Sequence, residues 1–202
     1  MAELYTASLT PATSGKLHPD VGAFQNNLDM NELEDRDFRS RLINFAIIYF
    51  LIGVFEVELR RKMKITLSVR AEKLGNSQWY EGLPLSKKGA ETLEKALKVL
   101  ERRARFQGEE VEDLLPLSFW RYLLTARNFT QLWIPTLVHL FPALNNPENF
   151  GVFQIIDNRM SRLLRLRNRV AHYNLNQRII FPEEIANIYW LLAAMGVKLV
   201  EA

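Results

Sequence analysis

Apolar residues recur at three- and four-residue spacing over most of the chain from residue 31 onward, which is the spacing of helices. No segment of strand length shows a convincing alternation of apolar and polar residues. The pattern therefore predicts an all-α fold, a helical bundle, over residues 31–202. Residues 1–30 mix proline and glycine with Ser, Thr and Asn, and we expect a loosely ordered lead-in there.

Capping residues, glycines and prolines predict where the helices begin and end. A long first helix is expected from residues 31–37, which are rich in acids, to about Leu67, with a break allowed near Gly53. Ser86 is expected to cap a helix that ends near Phe106. A third helix is expected to start at residues 116–118, with Ser118 as a candidate cap, and a fourth to run from Thr130 to Leu140. The fifth is expected to cover residues 151–172, and the last to run from Pro182 to about Leu199.

The most apolar run of the chain, residues 42–55, lies in the first helix. It has 14 residues and includes Asn44 and Tyr49, whereas about 20 apolar residues are needed to span a bilayer. The run therefore predicts a buried core helix rather than a membrane span. Residues 1–10 lack the basic and apolar regions of a signal peptide. The absence of cysteine favours a cytoplasmic protein.

Composition removes several kinds of chemistry. The chain of 202 residues contains no cysteine, which excludes disulfides, cysteine-based zinc sites and a thiol nucleophile. A net charge of +3 does not by itself indicate a nucleic-acid partner. The basic residues are nevertheless clustered, because five arginines with no acid among them predict a positive ridge: Arg159, Arg162, Arg165, Arg167 and Arg169.

A helical wheel of residues 151–172 places one arginine within the apolar face. The apolar positions on that face are Val152, Ile156, Met160, Leu163 and Val170. Arg167 falls between Leu163 and Val170, and arginine is rarely buried unless it is paired. We therefore expect Arg167 either to meet a carboxylate or to open into a groove.

Glu56 and Glu58 of the first helix are the candidate partners for Arg167 across the bundle. Glu58 also precedes Arg61 and Lys62 by three and four residues, which equally predicts a surface ion pair within its own helix.

Arg167, Asn168 and His172 are spaced so that their side chains can converge near the end of one helix. Their chemistry suits a scissile phosphate of RNA. The 2′-hydroxyl of RNA supplies the nucleophile, histidine supplies an acid or base near neutral pH, and Arg and Asn supply donors to the phosphate. The same histidine also suits a simpler structural role, since a basic group at a helix C-terminus complements the helix dipole.

The segment 166–172, Leu-Arg-Asn-Arg-Val-Ala-His, resembles the R-N-x-x-x-H signature of the HEPN superfamily. The wider chain, over roughly residues 31–200, resembles the Abi-like (abortive infection) branch of that superfamily. The signature lies late in the chain, at a predicted helix end, with one predicted helix after it. Residues 115–120, Leu-Pro-Leu-Ser-Phe-Trp, and residues 55–60, Phe-Glu-Val-Glu-Leu-Arg, are similar to two further segments of the branch.

The resemblance implies an α-helical bundle that forms a homodimer, with two motifs facing each other across a shared cleft. It also implies an endoribonuclease of the toxin or phage-defence type that acts on RNA, needs neither a metal nor another cofactor, and has an antitoxin or defence-system partner. In this reading Arg167 holds the phosphate, Asn168 orients it and His172 is the acid or base.

Neighbouring residues would support this site, with Arg165, Arg169 and Tyr173 binding phosphate and Glu56 or Glu58 holding Arg167. Some members carry a tyrosine two residues after the histidine that a partner enzyme modifies. Here that position is Asn174, which puts this form of control in doubt.

Two other functions fit the sequence as well. The first is a catalytically silent HEPN-like scaffold or nucleotide sensor in a defence complex. The second is a DNA-binding helical regulator, which would need a helix-turn-helix with an exposed recognition helix, and the sequence offers no good candidate for its turn.

Overall fold

The computed structural model describes residues 36–103, 110–134, 136–172 and 179–198. The chain divides into two compact units, Met1–Ser40 and Arg41–Ala202, and the helices discussed below belong to the second unit apart from the first residues of one helix. The described residues form helices joined by turns and contain no strand, which confirms the predicted all-α fold. Residues 1–30, predicted to be loosely ordered, lie outside the described residues.

Six α-helices occur in the described part of the chain: α1 (Arg36–Lys73), α2 (Lys87–Arg102), α3 (Leu117–Leu123), α4 (Leu137–Leu140), α5 (Phe150–Ala171) and α6 (Phe181–Ala194). A 3₁₀ turn, Val111–Leu114, precedes α3. Between α3 and α4 lie a second 3₁₀ turn, Ala126–Asn128, and a π-helical turn, Phe129–Trp133.

Two helices begin directly after a residue whose side chain caps them. Ser86 caps α2 by accepting a hydrogen bond from the Gly89 backbone N–H at 3.2 Å, as predicted. Asn149 caps α5 by accepting from the Gly151 N–H at 2.8 Å. Ser118 was wrongly predicted as a cap, because Pro116 holds the capping position and α3 already begins at Leu117.

Helix ends depart further from the prediction. α1 continues unbroken through Gly53 as far as Lys73, while α2 ends at Arg102, before the predicted Phe106. α6 ends at Ala194 rather than Leu199, and Gly196 follows it with a φ of 74°, a conformation that ends helices.

The single helix predicted from Thr130 to Leu140 is instead two short elements, the π-helical turn and α4. Between them the sequence places Pro135, which has no N–H to continue a helix.

One apolar core joins α1, α5 and α6 with the segments between them. Trp120, Trp133 and Phe141 are fully buried in it. α1 contributes a continuous buried face at helical spacing: Phe45, Ile48, Ile52, Phe55, Leu59, Met63 and Leu67. Burial of this face against the other helices is what orients α1 relative to α5.

The opposite face of α1 is apolar but exposed, so the predicted buried core helix is buried on one face only. Its exposed residues include Ile43, Tyr49, Phe50 and Val57. The helical stretch Ser40–Lys73 is long and apolar enough to cross a membrane, and 28% of its most apolar window is buried.

Candidate functional site

The last turn of α5 carries the R-N-x-x-x-H segment. Six side chains anchor α5 in the core at helical spacing: Phe153, Ile156, Met160, Leu163, Leu166 and Val170. Leu166 and Val170 hold the final turn, so the residues between and after them have fixed backbone positions. His172 is the C-terminal capping residue, and its backbone N–H donates to the Val170 carbonyl.

Arg167 lies at the edge of the buried face, which corrects the predicted position inside it. Its side chain is 41% exposed. The apolar face predicted by the helical wheel omits Leu166, whereas near the end of α5 the buried positions are Leu166 and Val170. Arg167 therefore reaches both solvent and the neighbouring helix.

Glu56 of α1 makes the contact with Arg167 that the sequence analysis considered for Glu56 or Glu58. The distance from Arg167 Nε to Glu56 Oε1 is 3.5 Å, and the Glu56 side chain is only 15% exposed. Arg60 Nη2 donates to the other oxygen of Glu56 at 3.1 Å. One carboxylate thus lies between two guanidinium groups, which fixes the side of Arg167 that faces the protein.

Glu58 takes the other predicted role. Arg61 Nη2 donates to its carboxylate at 2.8 Å within α1, as a surface ion pair. Glu58 therefore does not hold Arg167, and the two glutamates have separate partners.

Asn168 and His172 are both exposed to solvent. Within the described ranges of the chain, neither side chain takes part in a hydrogen bond or an ion pair. The helical spacing places them one turn apart on the same side of α5. Their amide and imidazole groups are therefore open to a ligand. Tyr173, the other predicted contributor after the helix, lies outside the described residues.

Two of the five arginines in the predicted positive ridge form ion pairs with α6. Arg162 donates to Glu184 at 3.0 Å and to Glu183 at 2.8 Å, and hydrogen bonds to these carboxylates raise the pKa of Arg162. Arg169 lies 3.6 Å from the same Glu184. Arg162 and Arg169 therefore join α5 to α6.

The other two ridge arginines differ from each other. Arg159 donates to Asn187 at 3.1 Å and lies over the Trp190 ring, 4.3 Å from its centroid. Burial lowers the pKa of Arg159. Arg165 is exposed and makes no ion pair with the described residues, so its charge faces solvent.

An apolar groove beside the motif was missed by the sequence analysis. It has a volume of about 780 Å³ and is lined mainly by α1, with Val170 of α5 at its edge. Phe50, Gly53 and Val57 are among its lining residues. The exposed stripe that includes them repeats at intervals of three and four residues, and this spacing was the available signal.

Within the described residues no group of three or more His, Cys, Asp or Glu side chains is placed to hold a metal ion. Comparisons with protein-family models, with curated proteins and with solved structures find no match for this chain.

Proposed function

We propose that the protein is a metal-independent endoribonuclease of the HEPN type, with its site at the C-terminal end of α5. The observation that carries the proposal is the state of three neighbouring side chains. His172 and Asn168 are exposed and have no hydrogen-bond partner in the described chain. Arg167 beside them is partly exposed and oriented by a carboxylate.

The proposed reaction uses the substrate's own nucleophile. The 2′-oxygen of RNA attacks the adjacent phosphorus, the bond from phosphorus to the 5′-oxygen breaks, and the products carry a 2′,3′-cyclic phosphate and a 5′-hydroxyl. A base accepts the proton of the 2′-hydroxyl, and an acid donates one to the leaving 5′-oxygen. His172 takes one of these two roles, and its position at a helix end leaves the ring open to the substrate.

Arg167 and Asn168 act on the phosphate in this scheme. Charge accumulates on the phosphate oxygens as the new bond forms, and donors already aimed at it lower the barrier. Glu56 is a positioning residue, because it holds Arg167 while Arg60 shares its charge. Arg165 offers an exposed cation for a neighbouring phosphate of the strand.

The biological setting is proposed on the family resemblance alone. It comprises a toxin or phage-defence role, a homodimer, a cytoplasmic location and a partner that restrains the activity.

The catalytically silent scaffold is the second candidate, and one observation favours it. The charge of Arg167 is already met by Glu56, and Arg162 and Arg169 are engaged with α6. Such pairing is what a purely structural helix end would require. In that case the protein binds a nucleotide or a partner protein of a defence complex, and cuts no RNA.

The test is cleavage of a single-stranded RNA oligonucleotide in buffer containing EDTA. We expect cleavage to persist and the 5′ fragment to end in a 2′,3′-cyclic phosphate. The matched substrate carries a 2′-deoxy sugar at the cleaved position, and we expect it to remain intact because it lacks the nucleophile. Activity that requires added magnesium or manganese, or cleavage of the deoxy substrate at the same bond, would contradict the proposed mechanism.

A further inference from the structure

The exposed face of α1 carries an apolar stripe with the spacing of a helix–helix seam. Ile43, Ala46, Phe50, Gly53 and Val57 follow one another at intervals of three, four, three and four residues. This is the a/d repeat through which two helices pack side by side. All five positions are exposed, on the side of α1 opposite its buried face.

The size of this surface is that of an interface. Ile43, Phe50 and Val57 are each more than 60% exposed, and Tyr49 beside them is 63% exposed. With Ile47, these side chains present on the order of 600 Å² of apolar area, at the upper end of what soluble monomers leave open. A standard interface buries about 800 Å² on each partner.

The stripe is complementary to itself when two copies run antiparallel. In that arrangement each a position lies opposite a d position of the other helix, so Phe50 meets Gly53 and Val57 meets Ala46. Phe50 and Val57, the large residues on either side of the two-fold axis, are then each opposite a small one, while Ile43 at the end of the stripe lies opposite Arg60. A Cβ placed on Gly53 would have nothing within 4 Å, so the space that a partner's Phe50 needs is open.

We propose that α1 of one copy packs antiparallel against α1 of a second copy through this stripe, forming a two-fold symmetric dimer. Such an interface uses the same patch on both copies, and the large-to-small pairing of the stripe meets that requirement.

A membrane fits the same surface less well. The exposed stripe from Ile43 to Val57 is about 21 Å long at 1.5 Å per residue, shorter than the roughly 30 Å hydrocarbon core of a bilayer. Beyond it α1 is mainly charged, with Arg60, Arg61, Lys62 and Lys64, and the exposed apolar residues Ile65 and Val69 are interspersed with these cations.

The antiparallel dimer also sets the distance between the R-N-x-x-x-H motifs of the two copies, and its use for catalysis rests on the proposed ribonuclease function. The two-fold axis crosses α1 between residues 51 and 52. Because Arg167 contacts Glu56, the motif lies at about the position of residue 56 along α1. The two motifs are then separated by about 14 Å along the helix direction, given 1.5 Å per residue. A two-fold axis between antiparallel helices leaves both motifs on the same side, where one RNA strand can reach them.

Cysteine cross-linking tests the register, because the natural chain has no cysteine to interfere. The double variant Ala46→Cys/Val57→Cys is oxidised in the otherwise intact protein, and we expect a covalent dimer in high yield. Each single variant is the control, since residue 46 of one copy lies about 16 Å along the helix from residue 46 of the other. Disulfides do not span such a distance. Equal cross-linking of the single and double variants would overturn the register.

Light scattering tests the surface itself. We expect wild type to have twice the mass of one chain, and Phe50→Glu to have the mass of a single chain while still unfolding cooperatively on heating. Tyr122→Glu is the matched control, since Tyr122 is 60% exposed on α3, and it should remain dimeric. A monomeric wild type that binds anionic lipid vesicles would assign the stripe to a membrane, and a dimeric Phe50→Glu would show that the copies meet elsewhere.

These outcomes separate the interface from the ribonuclease proposal. A wild-type dimer that depends on Phe50 but cuts no RNA supports the interface and rejects the ribonuclease. A ribonuclease that stays dimeric as Phe50→Glu supports the enzyme and rejects this interface.

Discussion

Arg167 is held by an ion pair without being removed from water. Glu56 contacts its Nε, while 41% of the side chain remains exposed. A guanidinium has donors to spare after one such contact, so it keeps N–H groups for a phosphate. Had Arg167 been inside the apolar face, as the helical wheel predicts, its loss would have stranded a buried carboxylate.

We therefore expect Arg167→Ala to affect activity far more than stability. Loss of one preorganised donor should lower kcat/KM on RNA by about 10²–10³-fold. Glu56 keeps Arg60 as a partner, so the free energy of unfolding should fall by about 1 kcal/mol or less. Steady-state cleavage and urea unfolding on the same sample measure both quantities.

Arg61→Ala is the control for this experiment. Arg61 is also an arginine paired with a glutamate of α1, in its case Glu58, but it lies outside the proposed site. It should retain wild-type cleavage. Destabilisation by several kcal/mol in Arg167→Ala, with activity unchanged, would show that Arg167 is a structural residue.

Two neighbouring glutamates of α6 form ion pairs with arginines of α5 and so join these two helices. Glu184 has only 7% of its side chain exposed, and it meets both Arg162 and Arg169. Glu183 contacts Arg162 alone and is 54% exposed. Because an ion pair is stronger where water is excluded, the two glutamates should contribute unequally.

We expect Glu184→Gln to lower the free energy of unfolding by about 1–3 kcal/mol, since it leaves two arginines facing a neutral amide. The adjacent change Glu183→Gln should lower it by about 1 kcal/mol or less. Chemical unfolding of the two variants side by side measures the difference, and equal effects would contradict a role for burial at Glu184.

How far the sequence predicts an element depends on whether the cause is local. The Ser86 cap and the helical periodicity of α5 are local, and both appear in the structure. The partners of Arg162 and Arg169 come from another helix, so no spacing within α5 could reveal that these two charges are neutralised. Hydropathy showed that α1 is apolar, but not which of its two faces the rest of the chain covers.

For the molecule as a whole, the motif and the exposed stripe of α1 meet at one place. Val170 follows the motif residues Arg167 and Asn168 and also lines the groove on α1. The buried face of α1 fixes α5, and the exposed face remains available to a second copy. The proposed site and the proposed dimer surface are thus held by the same two helices.

We propose above all that His172 is an acid or base in RNA cleavage. The most direct measurement is the cleavage rate of wild type beside His172→Ala, with EDTA present and thermal unfolding recorded on each sample. His139→Ala is the matched control, because His139 is also an exposed histidine near the end of a helix.

We expect His172→Ala to cut RNA about 10²–10⁴-fold more slowly than wild type. Its stability should fall by about 1 kcal/mol or less, the amount that a helix-dipole contact contributes. His139→Ala should match wild type in rate. A folded His172→Ala protein that cuts RNA as fast as wild type would contradict the claim and favour the catalytically silent scaffold.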